Sequence, residues 1–243
     1  MIKLWSNELR RITLWSWLLQ KAYLWPNIIF WALQNMVSID SNTDNIYIHE
    51  GITNNIKNSF STPSSTPEWV TVDNSNNIIS CDTWTATIYK HLWLTSSIDT
   101  SFSSPASVPT WITVSWVGNL ISCDIWTDVI YIHSWITSTT SSSFSSPSIW
   151  PSWLSIDTSW NLISCDLVSD NIYVHNGITS TVDSTFSSPS TVPTWVSVSN
   201  SNILYSCDWN SDLIYKHTWF TSTTSSSFSS PSSQPEDIAI YTP

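Results

Sequence analysis

A period of 42 residues runs through most of this chain and narrows what it can fold into. His49, His91, His133, His175 and His217 recur at that spacing without exception. So do Tyr47, Tyr89, Tyr131, Tyr173 and Tyr215, and Phe60, Phe102, Phe144, Phe186 and Phe228. Cys81, Cys123, Cys165 and Cys207 share the beat, with Ile39 in the slot of the first copy. Repetition at this length means that one supersecondary unit is stacked on copies of itself.

Each unit reads as four short strands. In the fourth copy they are Trp153–Ile156, Asn161–Cys165, Asn171–His175 and a Ser/Thr-rich stretch around Phe186, separated by turn residues such as Asn176-Gly177 and Pro189 to Pro193. Helical repeats of similar length need apolar residues at i, i+3 and i+4, and these are absent. Four strands in about 40–45 residues is the pattern of a propeller blade. The first copy begins at its second strand, Asn35 to Ile39, and the segment Pro235 to Ile240 aligns with Pro67 to Val72 four periods earlier. The expected fold is therefore all-β: a five-bladed β-propeller over 34–243, its ring closed by the C-terminal strand, preceded by a short β segment over 1–33. Closure by a borrowed strand hides two sheet edges that would otherwise pair with other chains.

The formal net charge is −11 with only 10% charged residues, and four of the seven cations, Lys3, Arg10, Arg11 and Lys21, precede the repeats. An acidic body argues against nucleic acid as a partner. No apolar run reaches the roughly 18 residues of a membrane helix, and the opening residues lack the basic and apolar regions of a signal peptide.

Eighteen Trp beside three Gly is abnormal for a protein full of tight turns. One repeat column reads Gly51, Trp93, Trp135, Gly177, Trp219, and another reads Asn76, Gly118, Trp160, Asn202. Both fall in hairpin turns that want a positive φ, where an indole is costly. The first-strand column is Trp69, Trp111, Trp153, Trp195. Two explanations stand: a gene whose UGA codons mean glycine, or genuine aromatic decoration of a binding face. Codon usage separates them.

The four cysteines read as small core residues and free thiols, since equivalent positions in neighbouring blades lie ~10 Å apart, too far for a disulfide. The five histidines read as hydrogen-bonded structural groups, because symmetry-related copies cannot assemble a triad. Asp40, Asp82, Asp124, Asp166 and Asp208 recur in all five units, and Asp44, Asp128, Asp170 and Asp212 in four, with Ala86 as the exception. Their loops join the second and third strands and vary between copies, and loops on a rigid scaffold are where binding usually resides. The aspartates suit turn capping. A weak divalent cation site is the functional alternative, disfavoured because hard cations want six or more oxygens. No other cofactor and no catalytic residue is indicated.

The Lys21-Ala-Tyr-Leu-Trp-Pro-Asn-Ile-Ile29 stretch, with Trp read as Gly, resembles the start of many phage tail and virion proteins. The repeats, with Asn-Leu-Ile-Ser-Cys-Asp followed by Asp-x-Ile-Tyr-x-His, resemble the broad YVTN- and NHL-type propeller superfamily. Those resemblances imply a virion-associated protein with a disc-shaped binding scaffold, of a superfamily that includes some enzymes. With no His, Glu or Arg cluster breaking the repeat, a non-enzymatic binding module is expected. It would contact other virion proteins through 1–33 and a host-surface glycan or protein through the propeller. The alternative is a bacterial propeller that scaffolds proteins or hydrolyses a small substrate.

Overall fold

The computed structural model describes residues 35–40, 43–166, 168–190, 193–208, 211–229 and 237–241; the expected N-terminal β segment, 1–33, lies outside them. Twenty strands form five four-stranded antiparallel sheets. The first blade is β20 (Asp237–Tyr241), β1 (Asn35–Asp40), β2 (Asn45–His49) and β3 (Ile56–Ser61), from inside outward. The second is β4 (Pro67–Val72), β5 (Ile78–Asp82), β6 (Thr87–His91) and β7 (Ile98–Ser103). The third is β8 (Pro109–Val114), β9 (Leu120–Asp124), β10 (Val129–His133) and β11 (Thr140–Ser145). The fourth is β12 (Pro151–Ile156), β13 (Leu162–Asp166), β14 (Asn171–His175) and β15 (Val182–Ser187). The fifth is β16 (Pro193–Val198), β17 (Leu204–Asp208), β18 (Leu213–His217) and β19 (Thr224–Ser229).

The chain is a five-bladed β-propeller. Its inner strands touch in the order β20, β4, β8, β12, β16 and back to β20, which closes the ring. The closing strand pairs as the sequence required, with Ile240 opposite Met36 and Ala239 opposite Val37.

Burial follows the layering. Every residue of β5, β9 and β13 is buried, because both faces of a second strand are covered by neighbouring sheets. This is why those strands read as near-continuous Ile-Ser-Cys-Asp runs and not as an alternation. Third strands contribute Ile46, Ile88, Ile130, Ile172 and Ile214, each at most 1% exposed and stabilising by about 1.5–3 kcal/mol when fully buried. Outer strands expose Ser and Thr and send one ring inward. Phe60, Phe102, Phe144 and Phe186 each lie 5.8–6.3 Å from the histidine of the next blade. The Phe and His columns therefore share one role, joining blade to blade.

Candidate functional site

The two ends of the disc are built differently. On one end, the turns between first and second strands are closed by Asp73 and Asp157, each accepting from the backbone N–H groups two and four residues on. Ser115 and Ser199 do the same work with a hydroxyl, at 3.0 and 3.1 Å. The turns between third and fourth strands sit beside them, because Asn35, Asn77, Asn119 and Asn161 each accept from their backbone N–H at 2.8–3.0 Å.

An axial cavity of about 690 Å³ opens on this end, within the size class of small-molecule sites. Its walls are the later halves of the five inner strands. Two levels are aliphatic, with Val70, Ile112, Leu154 and Val196 on one and Val72, Val114, Ile156, Val198 and Ile240 on the other. Between them lies a ring of equivalent positions: Thr71, Thr113, Ser155, Ser197 and Ala239, all 6–8% exposed. The Ser155 hydroxyl accepts from the Val198 backbone N–H at 3.1 Å. The hydroxyls of Thr71, Thr113 and Ser197 have no protein partner among the described residues and face the cavity. Among the described residues no Lys, Arg or His lines it, and the one acidic group there, Asp73, already accepts three hydrogen bonds within its own turn.

The opposite end of the axis is filled. Trp69 and Trp153 belong to non-adjacent blades, yet their rings lie 6.4 Å apart, with Trp111 4.3 and 4.8 Å from them. With Trp195 they are 0–4% exposed and form a floor. The Trp69 indole N–H donates to Thr83 Oγ1 at 3.3 Å, whereas those of Trp111, Trp153 and Trp195 are buried without an acceptor.

The nine aspartates singled out from the sequence lie at this filled end, away from the cavity. Asp40, Asp82, Asp124 and Asp166 each accept from the backbone N–H three residues on, forming one capped turn per blade. Asp82 also binds the Ser64 and Thr66 hydroxyls, and Asp124 accepts from the Val108 N–H at 2.9 Å, so this column pins the linker entering each blade. Those hydroxyl and amide bonds hold the Asp82 carboxyl below its ordinary range even though burial alone pushes it up. Asp208 takes the equivalent strand position, with its side chain outside the described residues. The second column, Asp44, Asp128, Asp170 and Asp212, has φ of 54–55°, and Ala86 in the same place has 50°. Their backbone carbonyls accept from the residue after the outer strand, at 2.8 Å from Asp44, Ala86, Asp128 and Asp170. A main-chain duty explains how alanine replaces aspartate once. No group of three or more His, Cys, Asp or Glu suited to a metal occurs among the described residues.

Capping predicts a measurable cost. Asp124→Ala strands the N–H groups of Trp126, Thr127 and Val108 and should lower unfolding stability by about 2 kcal/mol. Urea titration checks this, and an unchanged midpoint would contradict the capping role.

Each histidine joins two neighbours. Nε2 lies 2.7–2.9 Å from a buried serine hydroxyl, in the pairs Ser38–His49, Ser80–His91, Ser122–His133, Ser164–His175 and Ser206–His217. Nδ1 lies 2.6–2.8 Å from the carbonyls of Thr53, Thr137, Thr179 and Thr221. In the second blade the Thr95 carbonyl faces the His91 ring outside hydrogen-bonding geometry. A carbonyl only accepts, so Nδ1 carries the hydrogen and Nε2 accepts from serine. That is the layout of a nucleophile, a base and an orienting group, but the histidines are 0–1% exposed and no substrate reaches them. Burial lowers the pKa of all five, to about 4 for His49 and His91.

The cysteines are free and 1% exposed, and burial pushes the thiols of Cys81, Cys123 and Cys165 up, away from the reactive thiolate. Glu68 escaped the sequence reading. In sequence it stands in a column with Thr110, Ser152, Thr194 and Glu236; it accepts from Thr83 Oγ1 at 2.6 Å and has its pKa raised chiefly by burial. Comparing that column residue by residue would have flagged it, since it sets a carboxyl where three other copies carry hydroxyls. It sits at the filled end and does not line the cavity.

No protein-family model and no curated protein sequence matches the chain. Solved structures do. A structure of a nidogen/laminin complex aligns with a TM-score of 0.60 at 17% identity, covering 84% of this chain and 83% of that one. The virginiamycin B lyase of Staphylococcus aureus aligns at 0.53 and 13% identity, covering 85% and 74%. A functionally unknown protein from Desulfotomaculum acetoxidans aligns at 0.54 and 9%, covering 84% and 68%. At these identities the likeness is one of fold. It spans a protein-binding complex and a lyase, so the fold does not choose between them.

Proposed function

We propose that this chain is a non-enzymatic binding module whose ligand, a host-surface glycan, enters the axial cavity. The observation that carries the reading is the ring of unpartnered hydroxyls at Thr71, Thr113 and Ser197, held inside a preformed cavity on five rigid inner strands. Convergent polar groups on an aliphatic wall are what a small-molecule site offers a ligand. Catalysis needs a titratable or nucleophilic group in reach of the substrate. Here the Ser–His pairs are sealed between blades, and Asp73, the one carboxylate on the cavity wall among the described residues, is spent on its turn. The virion-associated setting belongs to the same proposal, with partner virion proteins engaged by residues 1–33. It rests on the resemblance of that segment, and genes for tail or baseplate proteins beside this one would support it.

The test is a glycan-array screen of the chain beside an Ala239→Phe variant. Ala239 lies on the cavity wall at 6% exposure, so a phenyl group there fills the site and leaves the outer surfaces untouched. Binding by the parent and loss in the variant are expected. Undiminished binding by a folded Ala239→Phe variant would remove the cavity from the account.

A further inference from the structure

We infer that the axial cavity selects the uncharged end of a glycan over one that carries a carboxylate or sulfate, a specificity that rests on the binding-module reading above. The argument begins with charge. An anionic sugar entering this space meets no cation among the described residues, none of which on the wall is Lys, Arg or His. The adjoining groove holds the amine of Lys90, which is already held by Asp73 at 3.8 Å and Asp99 at 3.5 Å. The anion would instead meet Asp73 and the field of a chain with net charge −11. Desolvating an unpaired charge beside a like charge is strongly unfavourable.

A neutral polyol meets the reverse situation. The free hydroxyls of Thr71, Thr113 and Ser197 each donate one hydrogen bond and accept others. They can answer a sugar hydroxyl whichever way it is oriented, without a fixed donor pattern. The aliphatic levels above and below, including Val70, Ile112, Val72 and Val114, provide surface for the C–H faces of a pyranose ring. Leaving those hydroxyls dry against an apolar ligand would cost a hydrogen bond each. The wall is therefore matched to a ligand that is hydroxylated and uncharged, and mismatched to one that is purely apolar or anionic.

The ring also has a direction. Four of its five equivalent positions carry a hydroxyl and the fifth is Ala239. Quasi-fivefold walls alone would accept a ligand in any of five rotations. One methyl among the hydroxyls breaks that degeneracy and fixes which side of the sugar faces β20.

The experiment measures binding of the whole chain to immobilised oligosaccharides ending in glucose, galactose or N-acetylglucosamine. The same oligosaccharides capped with sialic acid, and sulfated forms, are the matched set. Binding to a neutral end that falls at least tenfold on capping is expected. The Thr71→Val, Thr113→Val pair keeps the branched shape and removes two hydroxyls. It should weaken neutral binding about tenfold, the loss of roughly two hydrogen bonds. Ser197→Lys places a cation in the ring and should restore binding of the sialylated ligand. The outer-strand variant Thr140→Val should behave as the parent. Equal binding of capped and uncapped ligands overturns the selectivity while leaving a binding module in place. No binding to any arm overturns both.

Discussion

Between pH 6.5 and about 4 the chain is expected to lose its fold in one steep transition driven by its five histidines. Each is buried and bonded to a serine hydroxyl. All but His91 also bond the loop that follows, and His91, His133, His175 and His217 lie against a phenylalanine of the preceding blade. Burial sets the folded pKa of His49 and His91 near 4, against 6.5 for the free side chain, and lowers the other three in the same direction. The depressed value means that the unfolded chain takes up protons first. Stability is intact above 6.5, declines as pH falls below it, and stops declining once the folded histidines titrate. One histidine gives a slope of at most about 1.4 kcal/mol per pH unit, so His49 and His91 together give about 3, and the other three add in the same direction. Two such units remove about 6 kcal/mol through that pair alone, against an ordinary domain stability of about 5–15 kcal/mol. Two carboxyls modify the result. Glu68, raised by burial, opposes the loss, and Asp82, lowered by its hydrogen bonds, adds to it at lower pH. They are outnumbered, and Asp82 acts below the histidine window. The measurement is the urea midpoint as a function of pH, whose slope counts protons taken up on unfolding. About two per chain near pH 5.5 are expected from His49 and His91 alone, more with the other three, and about one fewer in a His49→Gln variant. An uptake of one proton or none would refute the account.

Replacing Trp93, Trp135, Trp160 and Trp219 with glycine should raise stability, against the usual effect of removing large apolar side chains. All four have φ between 58 and 73°. Gly51 and Gly177 hold the first column's other places at 72 and 68°, and Asn76, Gly118 and Asn202 hold the second column's at 59–88°. The main chain does the work at these sites whatever the side chain. The N–H of Trp93 and Trp135 binds the asparagine that Gly177 binds in its own blade, and the carbonyl accepts from the second strand in all three. The indoles contribute little, being 45–67% exposed. An L-residue pays roughly 1–2 kcal/mol for this backbone, and glycine returns part of the gain as unfolded-state entropy. The net is about 1 kcal/mol per site, or about 4 for the set, which is a Tm rise of about 10 °C in a chain of this size. Thermal melts of the quadruple variant check it, and a fall in Tm would contradict it. The codons at these four positions test the cause: UGG throughout would rule out UGA read as glycine, and UGA would establish that indole is foreign to these turns. The floor column differs. Trp69, Trp111, Trp153 and Trp195 lie on strands without positive φ and are packed in the core, so the backbone gives no such argument there, although three of those indole N–H groups are buried unpaired.

The propeller was legible from residues alone because its information is periodic. His49 through His217, spaced by 42, announced one blade repeated five times, and the match between Pro235–Ile240 and Pro67–Val72 announced how the ring closes. The left-handed turns were equally readable, since a column that mixes Gly and Asn with Trp reports the backbone more than the side chain. The capping role of Asp124 and its equivalents is readable for the same reason: an Asx turn is a local structure, made within three residues.

The cavity was not legible, and neither was the face on which it opens. Thr71, Thr113, Ser155, Ser197 and Ala239 look like ordinary strand residues, and nothing near them in the chain marks them as a site. They line one cavity only when five inner strands, far apart in sequence, are rolled about a common axis. The serine partners of the histidines were hidden likewise, because a pair eleven residues apart meets only across a formed ladder. Local chemistry and period therefore determined the blades, their turns and their order. The closed ring alone decided which end of the axis is filled by indoles and which holds an open cavity, because that depends on how side chains from non-adjacent blades share one small central volume.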